Sequence, residues 1–124
     1  MKYVVMVLVV IGLAMSFMSR GDSKGLVSYD ELQEKLNNKA NIVVLDVRTK
    51  EEFANGHIPG ALLLPYDEIE QNATKLLPEK DKEIIVYCRS GRRSAIAKDS
   101  LEALGYAAVK DFGGMNHWSG KVER

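Results

Sequence analysis

The sequence predicts one α/β domain with a mainly parallel central sheet flanked by helices, and three observations lead to it. Short apolar runs alternate with helical patterns from Leu26 to the C terminus. Two of the runs, IVVLDV and EIIVY, are unbroken rather than alternating, the mark of strands covered on both faces. The 124 residues, 46% of them hydrophobic, suffice for one core and not for two.

Each element has a local cause. Ser28-Tyr29-Asp30-Glu31 has capping-box spacing, and Leu32 and Leu36 follow at helical spacing, so a first helix runs to about Asn37. Ile42 to Val47 forms a strand. Thr49-Lys50-Glu51-Glu52 opens a second, short helix that stops at Asn55-Gly56, and Ala61 to Leu64 is a second strand ending at Pro65. Asp67 caps a third helix that Leu76-Leu77-Pro78 closes. Glu83 to Tyr87 is the third strand. Ala97, Leu101 and Leu104 then share a helical face that ends at Gly105 in the C′ position. Ala107 to Val109 makes the last strand, and a helical turn near Trp118 finishes the chain.

The first twenty residues, MKYVVMVLVVIGLAMSFMSR, stand apart from this pattern. They hold no acid and only Lys2 and Arg20 as bases, with Tyr3 to Met18 almost wholly apolar between them. Such a run falls short of the roughly 20 residues that span a bilayer as a helix and suits the apolar region of a secretory signal. Residues 1–20 are therefore read as a signal peptide or membrane anchor. Ala14-Met15-Ser16 offers a cleavage site, whereas Phe17 and Met18 extend the apolar run toward a retained anchor. Residues 21–25, polar and Gly-rich, are read as a linker, and residues 26–124 as the domain. The expected location is periplasmic or otherwise exported, with a possible membrane tether through residues 1–20. Setting aside Lys2 and Arg20 leaves 15 of the 17 bases against 17 acids, so nucleic acid is not the expected partner.

Cys88 is the one cysteine, which excludes an internal disulfide. An unpaired thiol in an exported protein demands a reason, because such compartments are oxidising. Here the thiol ends a strand and opens the turn CRSGRRS, close to a helix start. Free backbone N–H groups at a helix start carry partial positive charge and stabilise a thiolate or an anion. Arg89, Arg92 and Arg93 add to the same field, and Gly91 permits a tight turn. Ligands in parallel sheets sit beyond the carboxyl ends of strands, where Cys88 lies. The turn thus reads as an anion cradle with a nucleophilic thiolate at its floor. Cysteine phosphatases as a family place an arginine six positions after the cysteine to close the phosphate ring; here Ser94 occupies that place and the arginines precede it. The shorter loop suits a sulfur atom carried on the thiol and disfavours phosphatase or arsenate reductase chemistry.

Three segments then carry a specific resemblance: VLDVRTKEEFANGHIPGALLLP from Val44 to Pro65, CRSGRRSAIA from Cys88 to Ala97, and GGMNHWSG from Gly113 to Gly120. Over Leu26 to Arg124 the chain resembles a single-domain rhodanese, a thiosulfate:cyanide sulfurtransferase-like module. The resemblance implies a rhodanese-like α/β fold with Cys88 as the catalytic, persulfide-bearing residue. It places the backbone of Arg89, Ser90, Gly91, Arg92 and Arg93 around the outer sulfur. The implied partners are a small sulfur donor such as thiosulfate and a cyanide or thiol acceptor, with no cofactor. The family also contains docking and regulatory modules, so a persulfide carrier with little turnover on small donors is the alternative.

The remaining candidates divide between structure and function. Arg48 either faces the anionic substrate or ties its turn together with Asp46, the role expected of Asp46. Glu52 serves the capping box or, as the resemblance favours, pairs with Arg93. His57 reads as a turn histidine bonded to backbone. With His117 as the only other histidine and a single cysteine, no metal site is expected. Trp118 reads as a core anchor. Ser90 and Ser94 can donate to an anion or cap the helix.

Overall fold

The computed structural model describes residues 26–124. The expected leader and linker, residues 1–25, lie outside the described residues. Within them, no helix is long and apolar enough to cross a membrane.

Ser28 caps α1 (Tyr29–Asn37) by accepting the Glu31 N–H at 3.1 Å, one half of the expected capping box. The strand β1 (Ile42–Asp46) follows, then α2 (Lys50–Ala54), whose Thr49–Glu52 capping box is complete. The second strand is shorter than its apolar run, β2 (Leu62–Leu63). Asp67 does not cap the next helix: it lies within a 3₁₀ turn, Tyr66–Glu68, that leads into α3 (Ile69–Leu76). Pro65 fixes the entry to that turn, and its preset backbone starts the tighter winding first. The chain continues through β3 (Glu83–Cys88), α4 (Arg92–Ala103), β4 (Val109–Gly114) and a closing 3₁₀ turn, Met115–His117.

The expected last strand, Ala107 to Val109, is thereby corrected: pairing with β3 carries the strand through VKDFGG, despite its two charges and two glycines. All four strands are parallel, in the order β2-β1-β3-β4. Alternation along each strand divides the core in two. Leu45, Val47, Ile84, Val86 and Cys88 face Ile69 and Ala73 of α3 and Ala97 and Leu101 of α4. Val44, Ile85, Tyr87 and Phe112 face Leu32 of α1, Phe53 of α2 and Trp118. This explains the unbroken apolar runs, because both faces of β1 and β3 are covered. It also places Cys88 on the side from which α4 approaches.

Candidate active site

The central strand β3 delivers Cys88 to its carboxyl end with only 1% of its surface exposed. The chain then turns within three residues and enters α4 at Arg92. Gly91, immediately before the helix, has φ +108°, a conformation that a side chain would strain. That turn folds the helix start back over the strand end. The Gly91 N–H donates to Cys88 Sγ at 3.0 Å and the Ser94 N–H donates at 3.3 Å. Neither N–H has an acceptor four residues back in the helix, so both are free for the sulfur.

Burial alone would push the Cys88 thiol up. The hydroxyl and N–H of Ser94 and the N–H groups of Gly91 and Ser90 outweigh it, and the thiol lies below its ordinary value. The dominant stabilisation thus comes from hydrogen bonds to the sulfur. Arg89 and Arg92 are exposed and form no hydrogen bond or ion pair among the described residues, which leaves the turn two unpaired cations. Arg93 is engaged: Glu52 holds its guanidinium through two bonds of 2.8 and 3.0 Å. Glu52 also accepts from the Thr49 N–H at 3.0 Å, so the two roles weighed for it coexist.

This pair has a readable pH signature. The Arg93 guanidinium, with the Thr49 groups, lowers the Glu52 carboxyl from 4.5 to about 2 against the opposing effect of burial. A depressed carboxyl contributes stability that is complete above the unfolded-state value and lost as pH falls through the folded one. The stability difference between wild type and Glu52→Gln should therefore be constant above pH 4.5 and shrink between 4.5 and about 2, as urea denaturation at stepped pH would show. A difference that fades well above 4.5 would mean that the pair does not persist in solution.

The far wall is built on Asp46, which is fully buried. Its carboxylate accepts from the Arg48 N–H and Nε at 2.9 Å, from Arg48 Nη2 at 2.6 Å and from the Tyr87 hydroxyl at 2.8 Å. Burial and this carboxylate hold the Tyr87 phenol well above its ordinary value, so it remains a donor. Its oxygen in turn accepts the Ile58 N–H at 3.0 Å. Arg48 Nη2 also donates to the Gly56 carbonyl at 2.7 Å. Arg48 is 6% exposed, so its Nε and Nη2 serve the wall, the structural alternative of the two weighed for it. It nonetheless borders a cleft of about 410 Å³ with Glu52, Asn55, Gly56, Arg89, Met115 and Asn116.

The end of β4 forms the floor. A side chain at Gly114 would strike the Arg89 carbonyl oxygen and approach Ser90 Cα to 2.8 Å, so only glycine lets the Cys88 turn lie this close. The Ser94 hydroxyl lies 3.1 Å from the Gly91 carbonyl and 3.3 Å from that of Gly113, fastening loop to floor. Ser94, expected to donate to an anion or cap the helix but not placed among the residues around the sulfur, sends its N–H to Cys88 Sγ. Its signal was present as the third residue of the following helix, where an N–H has no helical acceptor. His57 Nδ1 lies 2.8 Å from the Phe53 carbonyl oxygen and its ring stacks on Phe53, the backbone-bound role expected of it. Trp118 packs edge-on against Tyr29 and Phe112 as an anchor.

Residues 28–121 match the family model described as a rhodanese-like domain. Over 71 residues the chain is 35% identical to thiosulfate sulfurtransferase PspE of Escherichia coli, covering 57% of this chain and 68% of that one. It is equally identical over 98 residues to YrkF of Bacillus subtilis, provisionally named a sulfur carrier protein. That match covers 78% of this chain, which spans 52% of the relative. Among solved structures, the rhodanese-like domain protein of Staphylococcus aureus superposes with a TM-score of 0.68 at 39% identity, covering 78% of this chain and 94% of the other.

Proposed function

The chain belongs to the rhodanese-like family, and from that premise we propose that it is a thiosulfate sulfurtransferase working by double displacement through Cys88. Sulfurtransferase relatives support sulfur transfer in general. The finer reading rests on one observation: the Cys88 sulfur accepts two helix-start N–H donors at 3.0 and 3.3 Å, in a turn whose exposed Arg89 and Arg92 are unpaired among the described residues.

In the first displacement the Cys88 thiolate attacks the outer sulfur of thiosulfate. A new S–S bond forms, the old one breaks, and its electron pair leaves with sulfite. The unpaired guanidinium groups of Arg89 and Arg92 attract the dianion, and backbone N–H groups around the turn receive the charge carried by the outer sulfur. In the second displacement cyanide or a thiolate attacks that outer sulfur and the electron pair of the S–S bond returns to Cys88. No proton needs to be removed by a histidine, in keeping with the structural role of His57.

The test is intact-mass spectrometry of purified protein treated with thiosulfate, with cyanide added to a second aliquot. One added sulfur atom that cyanide removes is the expected result. An unmodified mass sinks the proposal. A reversible adduct without steady-state turnover would favour a persulfide carrier, the reading that the sulfur-carrier name of YrkF supports.

We further propose that the domain works outside the cytoplasm, on the strength of the apolar run Tyr3 to Met18 and the single thiol. Cell fractionation with N-terminal sequencing should find it exported, either trimmed near Ser16 or membrane-held at full length. Full-length protein in the soluble cytosolic fraction would overturn this.

A further inference from the structure

Residues 122–124 take no part in the double displacement, yet they grip the loop that lines the cleft. Between Asn55 and Gly60 the backbone groups are held from two sides in turn. From within, Arg48 Nη2 donates to the Gly56 carbonyl at 2.7 Å and the Tyr87 hydroxyl accepts the Ile58 N–H at 3.0 Å. From without, the His57 N–H donates to the Glu123 carbonyl and the Glu123 N–H to the His57 carbonyl, each at 2.9 Å. Glu123 Oε1 accepts the Gly60 N–H at 3.0 Å and lies 3.7 Å from His57 Nε2, and Arg124 Nε donates to the Asn55 carbonyl at 3.2 Å. Extended backbone turns successive residues to opposite sides, so neither grip can replace the other.

The inner grip rests on the fully buried Asp46, whereas the outer one lies at the surface, with the Glu123 side chain 56% exposed. The loop it holds matters to the site. Asn55 and Gly56 line the cleft of about 410 Å³ together with Arg89, the neighbour of Cys88, and with Met115 and Asn116. That volume falls in the range of roughly 300–1,000 Å³ that takes organic ligands, and it exceeds what thiosulfate or cyanide fills. Residues 115–124 thus supply one part of the wall and brace another, with Trp118 Nε1 fastened to the Lys121 carbonyl between them at 2.9 Å. We propose that Glu123 is a positioning residue for the acceptor step: by holding residues 55–60 from without, it keeps the cleft wall preformed for an organic thiol that takes sulfur from Cys88.

The bonds made and broken are those of the second displacement: the thiolate of the acceptor attacks the outer sulfur, and the electron pair of the S–S bond returns to Cys88. What the clasp adds is selectivity. A thiol larger than cyanide lays its organic part against the wall while its sulfur reaches Cys88. A wall already in place spares the cost of ordering it on binding. Cyanide makes no such contact. Sulfur loading depends instead on the Cys88 turn, whose hydrogen bonds come from Gly91, Ser94 and the Gly113 carbonyl rather than from residues 122–124.

This inference rests on Cys88 being the reacting sulfur, but its first test needs no sulfur donor. Iodoacetamide and iodoacetanilide alkylate a thiol by the same displacement and differ by one phenyl ring, so the ratio of their rates reports the wall. In Glu123→Ala the iodoacetanilide to iodoacetamide ratio should fall about two- to tenfold. Glu123→Gln keeps an oxygen for the Gly60 N–H and should restore most of it. Because the side chain is largely exposed, neither change reaches the core, and hydrogen exchange at the Gly60 amide should quicken in Glu123→Ala. On the preformed persulfide, the kcat/KM ratio of N-acetylcysteine to cyanide should fall by a similar factor, through the KM of the thiol. An unchanged or increased ratio in either assay would show that residues 122–124 only brace the fold, and would overturn the proposal. Failure of thiosulfate loading alongside the expected alkylation ratio would count against the transferase and leave the clasp standing.

Discussion

Cys88→Ser is expected to abolish both the thiosulfate-derived sulfur adduct and all turnover while leaving the domain folded. An aliphatic alcohol does not ionise in the range where a thiol titrates, near pH 8.5, so no anion forms under the N–H groups of Gly91 and Ser94. The fold should tolerate the change. A buried hydroxyl costs most when it lacks partners, and here two N–H donors already point at its position. The net penalty is expected near 1 kcal/mol, set against a typical domain stability of about 5–15 kcal/mol. Mass spectrometry and a urea transition on the same sample separate the two effects. An adduct that survives in Cys88→Ser would relocate the chemistry altogether, since no other cysteine exists in the chain. Loss of the adduct with a collapsed urea midpoint would instead show that the sulfur is structural.

The elements that were legible in the sequence are those whose cause is local. Capping boxes, the apolar runs of β1 and β3 and the Gly105 stop each depend on a few neighbouring residues. The course of β4 is different, because in Lys110-Asp111-Phe112-Gly113-Gly114 only Phe112 favours a strand. It becomes one through pairing with β3, including a shift of register after Val86 that leaves Phe112 unpaired. The cradle's general chemistry was readable because strand end, glycine and helix start are contiguous. The division of labour among its arginines was not. Arg93 meets Glu52, 41 positions away, and Arg48 turns inward because Asp46, two residues before it on the strand, is fully buried.

Asp46→Ala is expected to cost about 3–5 kcal/mol, the range for removing one partner of a buried ion pair, against about 5–15 kcal/mol for the stability of an ordinary domain. The carboxylate is fully buried and satisfies the Arg48 N–H and guanidinium and the Tyr87 hydroxyl at once. Truncation would leave a cation 6% exposed without its counter-charge and a buried phenol without its acceptor. The damage should spread to the cleft, because Arg48 also holds the Gly56 carbonyl and Tyr87 holds the Ile58 N–H. Those bonds fix the segment that leads from Asn55 past His57. Urea denaturation should show the midpoint falling with an unchanged slope, the sign of lost stability rather than of a changed unfolded state. The double variant Asp46→Leu with Arg48→Met should recover much of the loss, since removing both charges also removes the unpaired cation. A loss below about 1 kcal/mol in Asp46→Ala would mean that water reaches Arg48 as it does an exposed pair. The wall of the cleft would then owe its shape to the packing of Tyr87, Ile58 and Phe112 instead.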